Sequence, residues 1–188
     1  MKIKRNIYLT GFMGTGKSTI GRELARFLGK KFVDIDALIE KREDMPVSRI
    51  FEKHGEEYFR NLEMEVAVDL SGQTGRVVAT GGGTFLNKEI RELFFKTGLV
   101  ICLFTEKEQL IKRLKRTEKR PLLKGDKAAV AEKVEKLLDE RKEVYSKFSI
   151  RVNTTNLTPQ EVAKKIIDTL KTYRKILDKL HKQYIVIS

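Results

Sequence analysis

The sequence predicts an α/β fold, in which helices cover both faces of a central parallel sheet of about five strands. Three observations carry that reading. Short apolar, β-compatible runs alternate with stretches of helical periodicity along the chain, the pattern of strands joined by crossover helices. The first such junction holds Gly11-Phe-Met-Gly-Thr-Gly16-Lys17-Ser18-Thr19, a complete phosphate-binding loop of the form G-x-x-x-x-G-K-[S/T]. Finally, 188 residues with 40% hydrophobic content can build one sizeable core, and no linker, repeat or low-complexity stretch marks a second domain.

The first strand is read at residues 3–9, apolar and β-compatible apart from Lys4, Arg5 and Asn6. Ile20, Leu24, Phe27 and Leu28 then recur at helical spacing, and Gly29 is the C′ stop. Between them, the glycines let backbone N–H groups turn inward around a phosphate, with Gly14, Thr15, Gly16 and Thr19 completing the cradle. Lys17 offers an ammonium to the β- and γ-phosphates, and Ser18 a hydroxyl to Mg²⁺. The helix that starts here directs its positive end at the anion. A glycine-rich turn that binds nothing is the alternative, and the flanking strand and helix argue against it. Loop and flanks together specify a P-loop NTPase-like three-layer sandwich that binds a nucleoside triphosphate.

Lys31-Phe-Val-Asp-Ile-Asp36 reads as a second strand, which would project Asp34 and Asp36 from one face. Ligands of open parallel sheets bind beyond the carboxyl ends of the strands, so this pair belongs beside the P-loop. Mg²⁺ and an acceptor alcohol would offset the burial of two carboxylates; solvated aspartates at a strand end or helix cap are the plainer reading.

Helical patterns follow at residues 37–43 and 46–70, the second broken near Gly55. On it, Arg60 and Glu63 stand three apart, so the carboxylate can brace the guanidinium. From spacing alone, a surface ion pair worth under ~1 kcal/mol is the simpler account.

Arg76-Val-Val-Ala-Thr80 is a third strand, and Gly81-Gly82-Gly83 after it implies close approach of a ligand or another backbone, or else a plain flexible loop. Ile90, Leu93 and Phe94 mark a helix that runs to Gly98, and residues 99–104 form the fourth strand, with Cys102 as a core thiol. Thr105 and Glu108 form a capping-box signature, and residues 119–127 are a polar break. A long helix over 128–145 and a last core strand over 148–152 complete the sheet. Thr158-Pro159-Gln-Glu161 starts a final helix, with proline at its first position, that extends toward Gln183.

The net charge of +13 is concentrated rather than spread. Residues 112–127 carry eight Lys/Arg against Glu118 and Asp126, and residues 171–188 carry five against Asp178. Neither segment interleaves aromatic stacking residues or forms a known nucleic-acid module, so no nucleic-acid partner is expected. An anionic nucleotide accounts for the first segment and a solvated helix face for the second. His54 and His181 lack metal-ligand spacing. No apolar stretch approaches the ~20 residues of a membrane helix, no signal-peptide pattern is seen, and a single cysteine excludes an internal disulfide, so a cytoplasmic protein is expected.

These residues together resemble the shikimate kinase family of P-loop kinases. The resemblance rests on Gly11–Thr19, Asp34-Ile-Asp36, Phe59-Arg60-x-x-Glu63, Gly81-Gly82-Gly83, Arg120-Pro121-Leu122 and Arg141-x-x-x-Tyr145, in matching order over about residues 3–170. It implies transfer of a phosphoryl group from ATP to the 3-hydroxyl of shikimate, in the pathway to chorismate and the aromatic amino acids, with Mg²⁺ as cofactor.

It further implies that Asp36 contacts the acceptor hydroxyl and that Asp34 meets Mg²⁺ through water. Arg60 and Arg141 would hold the shikimate carboxylate, Glu63 would brace Arg60, and the glycines at 81–83 would present N–H groups to the substrate. Arg120 would be the lid arginine and Arg116 would pack on adenine opposite Asn153 and Thr154, which makes residues 112–127 a mobile lid. Two departures stand out: Glu143 occupies a position where the family usually has proline, and residues 171–188 run past the family's usual end.

The expected organisation is one domain over residues 1–170 with a basic, helical extension at 171–188, a monomer whose tail offers a place for self-association. A kinase for another hydroxy acid such as gluconate, and a silent nucleotide- or nucleic-acid-binding module, are the rival readings.

Overall fold

The computed structural model describes residues 4–114, 127–146 and 148–185, with side chains described for all of these but 127–130 and 173–185. Arg116, Arg120 and most of the expected lid, with Pro121 and Leu122, lie outside the described residues.

Five strands form one fully parallel sheet: β1 (Asn6–Thr10), β2 (Lys31–Asp34), β3 (Arg76–Ala79), β4 (Gly98–Phe104) and β5 (Arg151–Asn153). Their spatial order is β2-β3-β1-β4-β5, so β1 is central, pairing Ile7 with Val77 on one side and with Leu99 on the other. Among the described residues, seven α-helices surround the sheet: α1 (Lys17–Leu28), α2 (Ile35–Glu43), α3 (Val47–Ser71), α4 (Lys88–Thr97), α5 (Lys107–Leu114), α6 (Lys127–Ser146) and α7 (Pro159–Ile185).

The three layers follow from the twofold alternation of β1, which is buried along its whole length. Ile7 and Leu9 join Val77, Ile101 and Leu103 in a core sealed by Ile20 and Leu24 of α1 and by Val162, Ile166 and Leu170 of α7. Tyr8 enters the opposite core, with Val78, Val100 and Cys102, under Ile39 of α2, Val66 of α3 and Phe94 of α4. Its ring stacks on Phe94 with centroids 4.0 Å apart. A third cluster joins Phe12 and Met13 of the P-loop to Leu110, Leu114 and Val134 of α5 and α6.

Several boundaries show which local signals govern. Gly29 is left-handed and its neighbour Lys30 donates to Ala25 O at 2.9 Å, which closes α1 as a Schellman turn. Gly55 is non-helical (φ 83°) and bends α3 where the pattern breaks. At α7 the capping box forms reciprocally, Thr158 N donating to Glu161 and Glu161 N to Thr158 Oγ1.

Other expectations are corrected. Thr105 Oγ1 pairs instead with Thr155 Oγ1, and α5 starts only at Lys107, because a long-range hydroxyl partner displaces the local cap. Strand β2 ends at Asp34, so Asp36 lies in a helix and not on a strand face. Strand β5 is confined to Arg151–Asn153, within reach of the parallel ladder with Cys102–Phe104.

The polar interruption at Asn6 is an anchor. Its fully buried amide donates to Tyr8 Oη, Leu70 O and Gln73 O, and its carbonyl accepts from Arg76 N at 3.0 Å. One side chain thus ties β1 to the end of α3 and the start of β3. Among the described residues, no helix is long and apolar enough to cross a membrane.

Two outcomes are expected. Asn6→Ala should lower the unfolding free energy by about 2–4 kcal/mol, because it strands buried backbone groups at both ends of a connection; denaturant titration giving a loss under ~0.5 kcal/mol would contradict this. Burial pushes the Cys102 thiol up to about 11. At pH 8 it should react with iodoacetamide on the order of 100-fold more slowly in the folded protein than in urea, since so little thiolate forms. Equal rates would refute that burial.

Candidate active site

The C-terminal edge of the sheet opens into a cleft of ≈ 820 Å³. The P-loop forms one wall from its backbone. Gly11 (φ 136°) leaves no space for a side chain, since a Cβ there would stand 2.1 Å from Leu103 O. Gly16 caps α1 in the left-handed region without a side-chain hydrogen bond, and no acidic residue occupies the first turn. The N–H groups of that turn therefore face the cleft with their dipole uncompensated. Lys17 is buried, its Nζ donating to Gly11 O at 2.8 Å and to Phe12 O at 3.1 Å. Gly14, Thr15, Gly16, Ser18 and Thr19 all line the cleft.

Asp34 and Asp36 reach the same cleft by a route other than strand alternation. Asp34 is the N-cap of α2, its Oδ1 accepting from Ala37 N at 3.4 Å, so the chain turns helical at Ile35, whose side chain is buried in the core. Asp36 then falls in the first turn, where the helix dipole favours a carboxylate.

The bend at Gly55 lets both halves of α3 line the cleft, through Val47 and Phe51 and through Phe59, Arg60 and Glu63. Glu63 is only 1% exposed, so its pairing with Arg60 is not the surface ion pair that spacing alone suggests. Arg60 binds Glu63 Oε2 through one terminal nitrogen and Glu56 Oε1 at 2.7 Å through the other. Thr84 Oγ1 donates to the second oxygen of Glu63 at 2.5 Å. Burial works to lower the pKa of Arg60, but the carboxylates of Glu63 and Glu56 outweigh it and leave it raised.

The triple glycine is about clearance, as none of the three has positive φ. A Cβ on Gly81 would stand 2.8 Å from both Asp36 Oδ1 and Glu63 Oε1 and 2.9 Å from Thr84 Oγ1. A Cβ on Gly83 would be 3.1 Å from the Arg60 guanidinium. Gly82 O accepts from Arg141 at 3.0 Å and from the Tyr145 hydroxyl at 2.7 Å. Arg141 is buried, its guanidinium 5.4 Å from the centre of the Phe12 ring.

Thr154 lines the cleft and donates to Thr15 O, whereas Asn153, the last residue of β5, is not among the lining residues and its Oδ1 accepts from Thr155 N. Among the described residues, no group of three His, Cys, Asp or Glu side chains forms a metal cage, while Ser18 and Asp34 share the cleft.

Arg113 and Thr84 are not singled out by the sequence, and Tyr145 enters there only as part of a motif, without a role of its own. Arg113 of α5 donates to Gly14 O and Thr154 O, binding the P-loop to the end of β5, and burial lowers its pKa. Its position inside the basic stretch was the available signal, diluted by seven other cations. Tyr145 stands four residues after Arg141, which places both on one helix face. Thr84 carried no local signal beyond following the glycines.

A sequence model of the shikimate kinase family matches residues 13–171. A shikimate kinase from Sulfurihydrogenibium sp. is 44% identical over 167 residues, covering 89% of this chain and 98% of the relative. One from Thermodesulfovibrio yellowstonii is 42% identical, covering 87% and 93%. The structure of shikimate kinase from Acinetobacter baumannii in complex with shikimate superposes with a TM-score of 0.85 at 35% identity, over 90% of this chain and 94% of that one.

Proposed function

This chain belongs to the shikimate kinase family, and from that premise we propose that it transfers the γ-phosphoryl group of ATP to the 3-hydroxyl of shikimate. The observation that carries the reading is one cleft in which a phosphate-binding loop, a carboxylate and two guanidinium groups meet: Gly14–Thr19, Asp36, Arg60 and Arg141. Each answers one part of the reaction.

The N–H groups at the start of α1 and the ammonium of Lys17 hold the triphosphate. Lys17 already donates to two loop carbonyls, Gly11 O and Phe12 O, which holds its ammonium at the phosphate cradle. A rigid carboxylate is well held by the planar forks of Arg60 and Arg141, which orient it as lysine would not. Asp36 orients the acceptor hydroxyl and takes its proton as the new O–P bond forms and the bond to ADP breaks. Gly82 and Gly83 offer backbone N–H groups to the acceptor.

Mg²⁺ fits the donor set. A hard cation that keeps most of its water needs one or two protein oxygens besides phosphate; the Ser18 hydroxyl would provide one, and the Asp34 carboxylate would hold the ion through water. When bound, it neutralises charge on the β- and γ-phosphates. Arg120 and Arg116 take the lid and adenine roles in this reading. The catalytic domain spans residues 1–170 of a cytoplasmic monomer, and the stretch at 171–188 is accessory.

The reading is tested by ADP release from Mg²⁺-ATP with shikimate, quinate and gluconate compared. Release should depend on shikimate; equal or greater release with gluconate would favour a different hydroxy acid. Lys17→Ala should cut kcat by about 100-fold or more, the scale of one lost preorganised charge. Arg60→Ala should raise KM for shikimate by about tenfold or more with KM for ATP within about twofold; parallel changes in both would contradict its role. Removing residues 172–188 should leave kcat within about twofold, since no cleft residue is lost; a larger fall would make the tail part of the catalytic body.

A further inference from the structure

The turn from β3 into α4 is tied from outside the cleft at two points. Gly82 O receives both the Arg141 guanidinium and the Tyr145 hydroxyl, which fills the two lone pairs of a carbonyl. Two residues on, Thr84 Oγ1 fixes one oxygen of Glu63 while the other binds Arg60. Each arginine expected to hold the acceptor carboxylate is thus coupled to the same short turn, and each coupling is completed by a neutral hydroxyl. Neither hydroxyl residue lines the cleft.

The two hydroxyls have different mechanical roles. Arg141 must turn from Gly82 O, at least in part, to meet a carboxylate with both arms of its fork. Tyr145 would then keep Gly82 in place, so the glycine N–H groups hold their aim while the arginine changes partner. Burial pushes the Tyr145 phenol up to about 12, so it remains a donor at any working pH. Thr84 acts on a static partner. Glu63 is almost wholly buried, and a donor on Oε1 stops the carboxylate from rotating, which leaves Oε2 on Arg60.

We propose that Tyr145 and Thr84 are positioning residues for the acceptor: by fixing the Gly82 carbonyl and the Glu63 carboxylate, they set where Arg141 and Arg60 stand. This deepens the kinase reading above and rests on it for the identity of the acceptor.

The test uses the full chain with Tyr145→Phe, Thr84→Val and Thr84→Ser. Tyr145→Phe and Thr84→Val should each raise KM for shikimate about three- to tenfold, with KM for ATP within about twofold, and Thr84→Ser should restore the wild-type value. A second readout needs no acceptor: ¹⁵N spectra of the arginine side chains, assigned with Arg60→Lys and Arg141→Lys. Thr84→Val should move the Arg60 signals and spare those of Arg141, and Tyr145→Phe should do the reverse.

An unchanged KM for shikimate, even with a lowered melting temperature, would overturn the proposal, as would a parallel rise in KM for ATP or no rescue by serine. If the wild-type protein releases no ADP with shikimate, the acceptor reading has failed. The arginine spectra then decide the positioning roles alone, and unmoved signals would end them.

Discussion

A buried carboxylate organises the wall of the cleft proposed to take the acceptor. Glu63 lies on α3, is nearly inaccessible to water and is shared between Arg60 and Thr84. An unpaired carboxylate at that depth would cost several kcal/mol, so its two partners are a condition of the fold. They come from different elements, one from the same helix and one from the turn after β3. Satisfying Glu63 therefore fixes the distance between helix and turn, and with it the position of a guanidinium in the cleft. Gly81 is the corollary: any side chain there would strike Asp36, Glu63 and Thr84 together.

The two walls of the cleft are built on different principles. On the P-loop side the groups that face the cleft are backbone amides, and glycines with positive φ aim them. Little there depends on side-chain rotamers except Lys17, which already rests on the loop it serves. On the side proposed for the acceptor the cleft is lined by long charged side chains, which need a supporting layer to have one position. Glu56, Glu63 and Thr84 supply it for Arg60, and Gly82, Tyr145 and Phe12 for Arg141. Arg113 and Thr154 lash the P-loop to the edge strand, so the two walls share one sheet as their base.

Local signals in the sequence were reliable where the partners are local. The Schellman turn at Gly29, the bend at Gly55 and the capping box at Thr158 all close within a few residues, and each is where the sequence places it. They misled where a distant group competes. Thr105 has the sequence of a cap but is taken by Thr155, fifty residues on. Asp34 and Asp36 have the spacing of a strand face, yet Asp34 satisfies the first turn of a helix, and the pair converges through that helix instead. Asn6 read as a flaw in a strand and is a junction with partners more than sixty residues away.

By itself, the sequence determined the order of strands and helices, the parallel sheet, the phosphate-binding loop and the residue types that line the cleft. These depend on periodicity, glycine conformation and motif spacing, all of which are short-range properties. Only the tertiary structure decided that Glu63 is buried, that Gly82 O is the shared acceptor of Arg141 and Tyr145, and that Arg113 belongs to the P-loop. Those facts depend on which crossover brings which segment to the carboxyl edge of the sheet. A buried ion pair and an exposed one have the same spacing along a helix, and what distinguishes them is the chain that folds over the top.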